Sequence, residues 1–251
     1  MDNTKRFNDR ADNYKRYRPD YPAEIIEVLK EKCHLSKKTV IADVGSGTGF
    51  FTKLLLPYAG VVYAVEPNPE MRKVAEEALS HYNNFRSISA RAEDTQLDAH
   101  SIDMVTAATA FHWFDKQKTK EEFRRILKGD KWVVLLWNAR NTLENEFLAA
   151  YEALFRKYVP EYEKKIHENK DTSSINEWYG EEKAELTLFR NHKILNWEGL
   201  RGRFLSSSYA PQESHPNYQR ALEDLQQIYE RFAHEDSINF EYTTRLYVGK
   251  M

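Results

Sequence analysis

Three glycines alternate in Asp43-Val44-Gly45-Ser46-Gly47-Thr48-Gly49, directly after a short apolar run and before a helical pattern. Glycine admits positive φ and lets a ligand lie against bare backbone, and a helix that starts at such a turn offers unpaired N–H groups. The stretch reads as a ligand-binding turn from strand to helix. A tight turn without a ligand is the competing reading, but it needs fewer glycines. A dinucleotide fingerprint wants its third glycine at position 50, which is Phe50. A phosphate-binding loop wants Gly-Lys-Ser/Thr after the turn, and none follows. Glu66, followed by Pro67, closes the next apolar run at about the spacing of an acid that accepts both hydroxyl protons of a ribose. A strand-end carboxylate in solvent is the bland reading there. Ala92-Glu93-Asp94 follows a third apolar run, and Thr109-Ala110-Phe111-His112-Trp113-Phe114-Asp115 follows a fourth. Ligands of open α/β sheets lie beyond the strands' carboxyl ends, so both segments are expected at a site. His112 is a candidate general base because imidazole titrates near neutrality. Acceptor positioning and a structural hydrogen bond stay open for it beside catalysis.

The D-x-G-x-G-x-G pattern with Glu66 resembles the class I S-adenosylmethionine-dependent methyltransferases. The resemblance implies S-adenosylmethionine as the cofactor, held by Gly45, Ser46, Gly47 and Gly49, with Glu66 on the ribose and Pro67 beside it. Asp43 is then expected to answer the ammonium and sulfonium near the methionine end, where a pyrophosphate would be repelled. Ala92 and Glu93 fall where the family recognises adenine, Met71 packs on the adenine or in the core, and Thr109 faces the donor. The reaction implied is in-line displacement at the methyl carbon, giving S-adenosylhomocysteine. A carboxylate acceptor needs no base, whereas a hydroxyl needs one, so His112 matters for some acceptors only.

The likeness extends further along the chain. Phe7, Ala11, Tyr14 and Arg18-Pro19-Asp20-Tyr21-Pro22 resemble the N-terminal arm of small-molecule members related to the trans-aconitate methyltransferase group. So do Ser206-Ser207-Ser208-Tyr209-Ala210-Pro211 and Thr244-Arg245-Leu246-Tyr247-Val248-Gly249-Lys250. By this similarity Tyr14 and Arg18 close over the donor, with Arg18 near its carboxylate; an amphipathic cap is the alternative. Arg140, Trp178, Tyr179, Arg201, Arg203, Tyr209 and His215 fall in segments expected to roof the acceptor pocket, where arginine suits a carboxylate. Lys128-Gly129-Asp130 departs from the Lys-Pro-Gly-Gly common in relatives and changes a turn. Neither an Asn/Asp-Pro-Pro-Tyr/Trp motif nor a Pro-Cys nucleophile is present, which counts against DNA methylation.

Elements must place these residues. Short apolar runs at Thr39–Val44, Val61–Val65, Phe85–Ala90, Ile102–Ala108 and Trp132–Trp137 read as five strands, alternating with amphipathic helices. That rhythm predicts an α/β fold, a doubly wound and mostly parallel sheet with crossover helices. Beyond Asn138, Phe147, Tyr151, Leu154 and Tyr158 mark a long helix, and Ala184, Leu186 and Leu188 alternate as a strand does. A helical stretch covers about residues 217–233, and Ile238 to Val248 alternate over a long last strand, taken as antiparallel. The expected plan is one methyltransferase domain over residues 1–251 with seven strands. It divides into an arm (1–20), a donor-binding core (21–138), a helical insertion (139–182) and the completed sheet with a helical cap segment (183–251).

Composition bounds the partners. The 251 residues hold 37 Lys+Arg and 39 Asp+Glu, a net charge of −2, which argues against a general nucleic-acid surface. No run nears the ~18 apolar residues of a membrane span, and the first ten residues carry no apolar signal stretch, so a cytoplasmic protein is expected. Cys33 is the only cysteine, and His34, His81, His100, His167, His192 and His234 show no metal-ligand spacing; no metal is expected. The expected partner is a small-molecule acceptor, with no nucleic acid, membrane or obligate protein partner. Competing functions are a non-catalytic binder of S-adenosylmethionine or S-adenosylhomocysteine, and a nicotinamide-dependent oxidoreductase, which Phe50 and Asp43 disfavour.

Overall fold

A computed structural model of the chain describes residues 16–159, 162, 172–181, 183–207 and 209–251. Tyr14, with Phe7 and Ala11 of the expected arm, lies outside the described residues. In chain order the elements are α1 (Ile25–Cys33), β1 (Val40–Val44), α2 (Phe50–Leu55), β2 (Val61–Val65), α3 (Pro69–Leu79), β3 (Phe85–Ile88) and β4 (Ile102–Ala108). There follow α4 (Lys116–Ile126), β5 (Leu127–Ala139), α5 (Glu146–Tyr158), α6 (Thr172–Tyr179), β6 (Glu185–Leu195), α7 (Trp197–Leu205), α8 (Tyr218–Phe232) and β7 (Ile238–Lys250).

The seven strands form one sheet in the order β3-β2-β1-β4-β5-β7-β6. The first five pair in parallel, and β7 runs antiparallel to both β5 and β6. The winding reverses between β1 and β4, so the crevice of the fold opens beyond the carboxyl ends of those two strands. The central strands carry apolar side chains to both faces, as buried parallel strands must. On one face Ile41, Val62 and Met104 pack against Ile25, Leu55 and Leu79 from α1, α2 and α3. On the other, Ala42, Val105 and Val133 meet Phe123 of α4 and Trp178 and Tyr179 of α6. A third cluster unites α5, α7 and α8 with the ends of β6 and β7, around Tyr151, Phe204 and Phe240. That cluster is the cap beside the crevice.

Three details depart from the sequence reading. Lys128-Gly129-Asp130, expected as a turn, lies inside an irregular start of β5. Ile102 pairs with Leu127 but Met104 pairs with Trp132, so extra residues bulge from the longer strand, with Gly129 and Lys131 at positive φ. The third strand stops at Ile88, short of Ala90. Leu186 and Leu188 alternate as expected, but they lie on the exposed face of the edge strand β6, with Phe189 and Leu195 on the better-covered side.

Candidate active site

The glycine loop is fastened at the switch point. The N–H groups of Gly45 and Ser46 both donate to the carbonyl of Val65, at 2.8 and 3.2 Å, which draws the loop over the end of β2. Two of the glycines serve different ends. Gly49 (φ +83°) opens α2, and a Cβ there would come within 2.7 Å of Leu79 Cδ1, so it permits α2 to pack on α3. Gly47 (φ +57°) would meet nothing within 4 Å; its missing side chain leaves open space beside the backbone. Gly45, Ser46 and Gly47 line the crevice, and Gly49 does not.

Glu66 follows β2 and is 8% exposed, yet it reaches that open space. Its Oε2 accepts from Gly47 N at 2.9 Å and its Oε1 from Asn68 N at 2.8 Å. Burial raises its pKa, and the two backbone donors oppose that shift. Both oxygens are thereby aimed by main chain and keep further lone pairs for hydroxyl donors. Asn68 is held in turn by capping α3, accepting from Met71 N, with Pro69 opening the helix.

Asp43 is elsewhere. Its carboxylate is fully buried, and accepts from Thr52 Oγ1 at 2.6 Å and Thr106 Oγ1 at 2.7 Å. It ties β1 to α2 and β4 from inside and does not line the crevice, so the expected direct answer to a ligand's ammonium is corrected to an internal brace. Burial pushes its pKa up to about 6, against the two threonine hydrogen bonds.

The crevice, about 290 Å3, is continued at one end by Pro67, Met71, Ala92 and Glu93, all among the expected residues. The Glu93 carboxylate accepts from Asp115 N at 2.8 Å, which fixes the loop after β4 against the loop after β3. At the other end stand Thr109, Tyr21, Asn138, Arg18, Arg203 and Tyr242. Thr109 is at φ +55°, an uncommon and strained setting for a β-branched residue, and its hydroxyl bonds the Tyr21 hydroxyl at 2.9 Å. Arg18 donates from Nε and Nη2 to Ser206 Oγ and O, at 3.2 and 3.1 Å, so the chain at Arg18 is strapped to the end of α7. Lys193 Nζ adds donations to the carbonyls of Arg16 and Arg18.

A second cavity of about 650 Å3 adjoins the first, sharing Arg18, Thr109, Trp113 and Asn138 as walls. His112 faces this second cavity and not the crevice. Its Nδ1 and the Nε1 of Trp137, also a wall, are buried without a hydrogen-bond partner among the described residues. Burial, helped by repulsion from Arg18, lowers the His112 pKa to about 4. Arg140 and Tyr209 line the second cavity; Arg203 lines the crevice. The other expected roof residues do not line either space. Trp178 and Tyr179 are packed under the sheet, donating to the carbonyls of Lys116 and Val133, while Arg201 and His215 are exposed.

Sequence reasoning missed Tyr21, Asn68, Asn138 and Tyr242. Asn138 ends the apolar run of β5, and the strand-end logic that selected Glu66 and Thr109 applies to it equally. Tyr242 carried no such signal, since only the antiparallel return of β7 brings it here.

Residues 42–135 match the family model of a methyltransferase domain. A 135-residue stretch is 34% identical to an uncharacterized methyltransferase of Mycobacterium bovis, covering 54% of this chain and 53% of that protein. A "probable S-adenosylmethionine-dependent methyltransferase" of Saccharomyces cerevisiae is 30% identical over 122 residues, 47% of this chain and 42% of its own. The chain spans about half the length of the curated relatives it matches. Among solved structures, a "putative type II methyltransferase" from Anaeromyxobacter dehalogenans superposes with a TM-score of 0.71 at 20% identity, over 93% of this chain and 98% of that one. The fold is the seven-stranded Rossmann-like fold of class I methyltransferases.

Proposed function

We propose that this chain moves a methyl group from S-adenosylmethionine to the oxygen of a small acceptor, a carboxylate in preference to a hydroxyl. The observation that carries the donor half is the Glu66 carboxylate, pinned by Gly47 N and Asn68 N beside the side-chain-free space at Gly47. A carboxylate so aimed suits a ribose diol, and the bare backbone admits the nucleoside. The buried, unpartnered Ser46 Oγ at the same wall supplies a further polar contact. Ala92, Glu93 and Met71 are assigned to the adenine, and Thr109 with Arg18 to the methionine end. When bound, S-adenosylmethionine supplies an electrophilic methyl carbon on a sulfonium that leaves as a neutral thioether.

The acceptor belongs in the adjoining cavity. Arg18, Arg140, Arg156 and Arg245 line it against one lining carboxylate, Glu152, among the described residues, an excess that favours an anion. His112, its pKa held down to about 4, is a poor base for a hydroxyl but a good hydrogen-bond partner. An acceptor that is already ionised needs orientation and exclusion of water from these residues, not deprotonation. The glycine loop and Glu66 thus face one cavity, His112 and Trp137 the other, and Thr109 lines both.

The test is a native mass spectrum of the purified protein, followed by a labelled-methyl assay against small carboxylic and hydroxy acids. Co-purified S-adenosylmethionine or its product, and label in a base-labile methyl ester, are expected. Donor binding without turnover on any acceptor would favour a binding protein, and calorimetric binding of NAD(H) alone would overturn the donor assignment.

A further inference from the structure

Arg203 lies on α7 and is 2% exposed. Its Nε donates to Tyr242 Oη at 2.7 Å, and its guanidinium packs over the Phe240 and Tyr242 rings, at 5.3 and 5.7 Å from their centroids. Nη1 is buried without a partner, and among the described residues no carboxylate pairs with this cation. The contrast with Arg140 is direct. Arg140, half-buried, donates twice to Glu152, at 3.0 and 2.6 Å, and once to the Tyr162 hydroxyl. Among the described residues, one guanidinium of the cap is neutralised by a carboxylate and the other is not.

An uncompensated buried cation is expensive, because desolvation is not repaid by an opposite charge. Stacking on two aromatic rings repays part of it. The two rings and the Tyr242 hydroxyl also hold the guanidinium in one orientation, which lowers the entropy cost of receiving a partner. Arg203 and Tyr242 both wall the donor crevice, at the end where Arg18, Thr109 and Asn138 separate it from the second cavity. The missing counter-charge therefore has a place to enter.

We infer that Arg203, oriented by Tyr242, is a buried carboxylate-receiving site at the junction of the two cavities. This inference rests on the donor-and-acceptor reading above and extends it to one residue and one chemical group. The carboxylate comes either from the amino-acid end of the donor or from the acceptor, and the two sources leave different signatures.

Calorimetry on the full chain separates them. Wild type, Arg203→Lys and Arg203→Gln are titrated with S-adenosylhomocysteine and with 5′-methylthioadenosine, which keeps the nucleoside and thioether but has no carboxylate. Succinate and acetate are then titrated into the proteins saturated with S-adenosylhomocysteine. Arg203→Gln is expected to lose at least tenfold in affinity for a carboxylate-bearing ligand, with Arg203→Lys between it and wild type, and 5′-methylthioadenosine unaffected. Loss on S-adenosylhomocysteine assigns the site to the donor; loss on succinate or acetate at constant S-adenosylhomocysteine affinity assigns it to the acceptor. Equal affinities of all three proteins for every ligand overturn the site. Should Arg203→Gln fail to fold, the lysine variant and the wild-type ligand series decide: wild type that prefers S-adenosylhomocysteine no more than 5′-methylthioadenosine, and binds neither acid, also overturns it. Failure to bind either nucleoside would refute the donor reading itself, an outcome distinct from loss of the carboxylate preference alone.

Discussion

At the scale of single residues, the two acids that the sequence made look alike do opposite work. Asp43 lies one residue from the end of β1 and Glu66 directly follows β2, but Asp43 satisfies itself on Thr52 and Thr106, and Glu66 spends only part of its capacity on Gly47 and Asn68. Strand-end position was legible from the apolar runs; the threonine partners were not, because Thr106 belongs to a strand distant in sequence. Glu66→Gln should turn an amide donor toward one of the two backbone N–H groups and remove the charge facing the ribose. Donor affinity should fall by about 1.5–3 kcal/mol, roughly ten- to a hundredfold, read by calorimetry with S-adenosylhomocysteine. Unaltered affinity would take Glu66 out of the site. His112 makes a second claim at this scale. With a pKa of about 4 it stays neutral from pH 5 upward, so turnover should show no protonation limb between pH 6 and 7. A limb near 6.5 that vanishes in His112→Asn would show an ordinary, solvated imidazole instead.

At the scale of elements, the loop between β1 and α2 shows why a motif is more legible than its division of labour. Spacing marked three glycines, and only packing tells which one faces a ligand. Gly49→Ala forces a Cβ to 2.7 Å from Leu79 at a left-handed φ, so it should cost about 1–3 kcal/mol of stability. Gly47→Ala meets no atom, so only about 1 kcal/mol of backbone strain is expected, while the new methyl intrudes on the space assigned to the donor. Urea melts and S-adenosylhomocysteine titrations of both variants should therefore cross over, one losing mainly stability and the other mainly affinity. A common pattern in the two would contradict the division. The same limit explains β5 and β6. Periodicity gave β6 its existence, but an edge strand is covered on one side only in part, so the apolar alternation did not say that Leu186 and Leu188 lie outward. The start of β5 was hidden because Lys128-Gly129-Asp130 has turn composition, while pairing with β4 holds it in the sheet.

At the scale of the whole molecule, the sheet and its loops enclose two titrating groups, Asp43 fully and His112 in part, whose effects on stability oppose each other. Burial raises Asp43 from 3.8 to about 6, so the folded chain keeps that proton longer than the unfolded chain, and stability falls as pH rises through this window. Burial lowers His112 from 6.5 to about 4, so the unfolded chain takes up a proton that the folded chain refuses, and stability is lost as pH falls from 6.5 toward 4. Each shift corresponds to about 3 kcal/mol, so between pH 4 and 6 the two contributions largely cancel in the wild type. Removing either one should expose the other. Asp43→Asn should lose about 3 kcal/mol more than wild type on acidification from pH 6.5 to 4, and His112→Asn should become more stable relative to wild type over the same range. Urea melts at four pH values between 4 and 7 provide the measurement, and parallel curves for the three proteins would mean that neither group is buried as described. The two groups end adjacent strand–loop units, at β1 and after β4. The opposition thus arises at the switch point itself, where a fold that encloses a ligand must also enclose the groups that shape its walls.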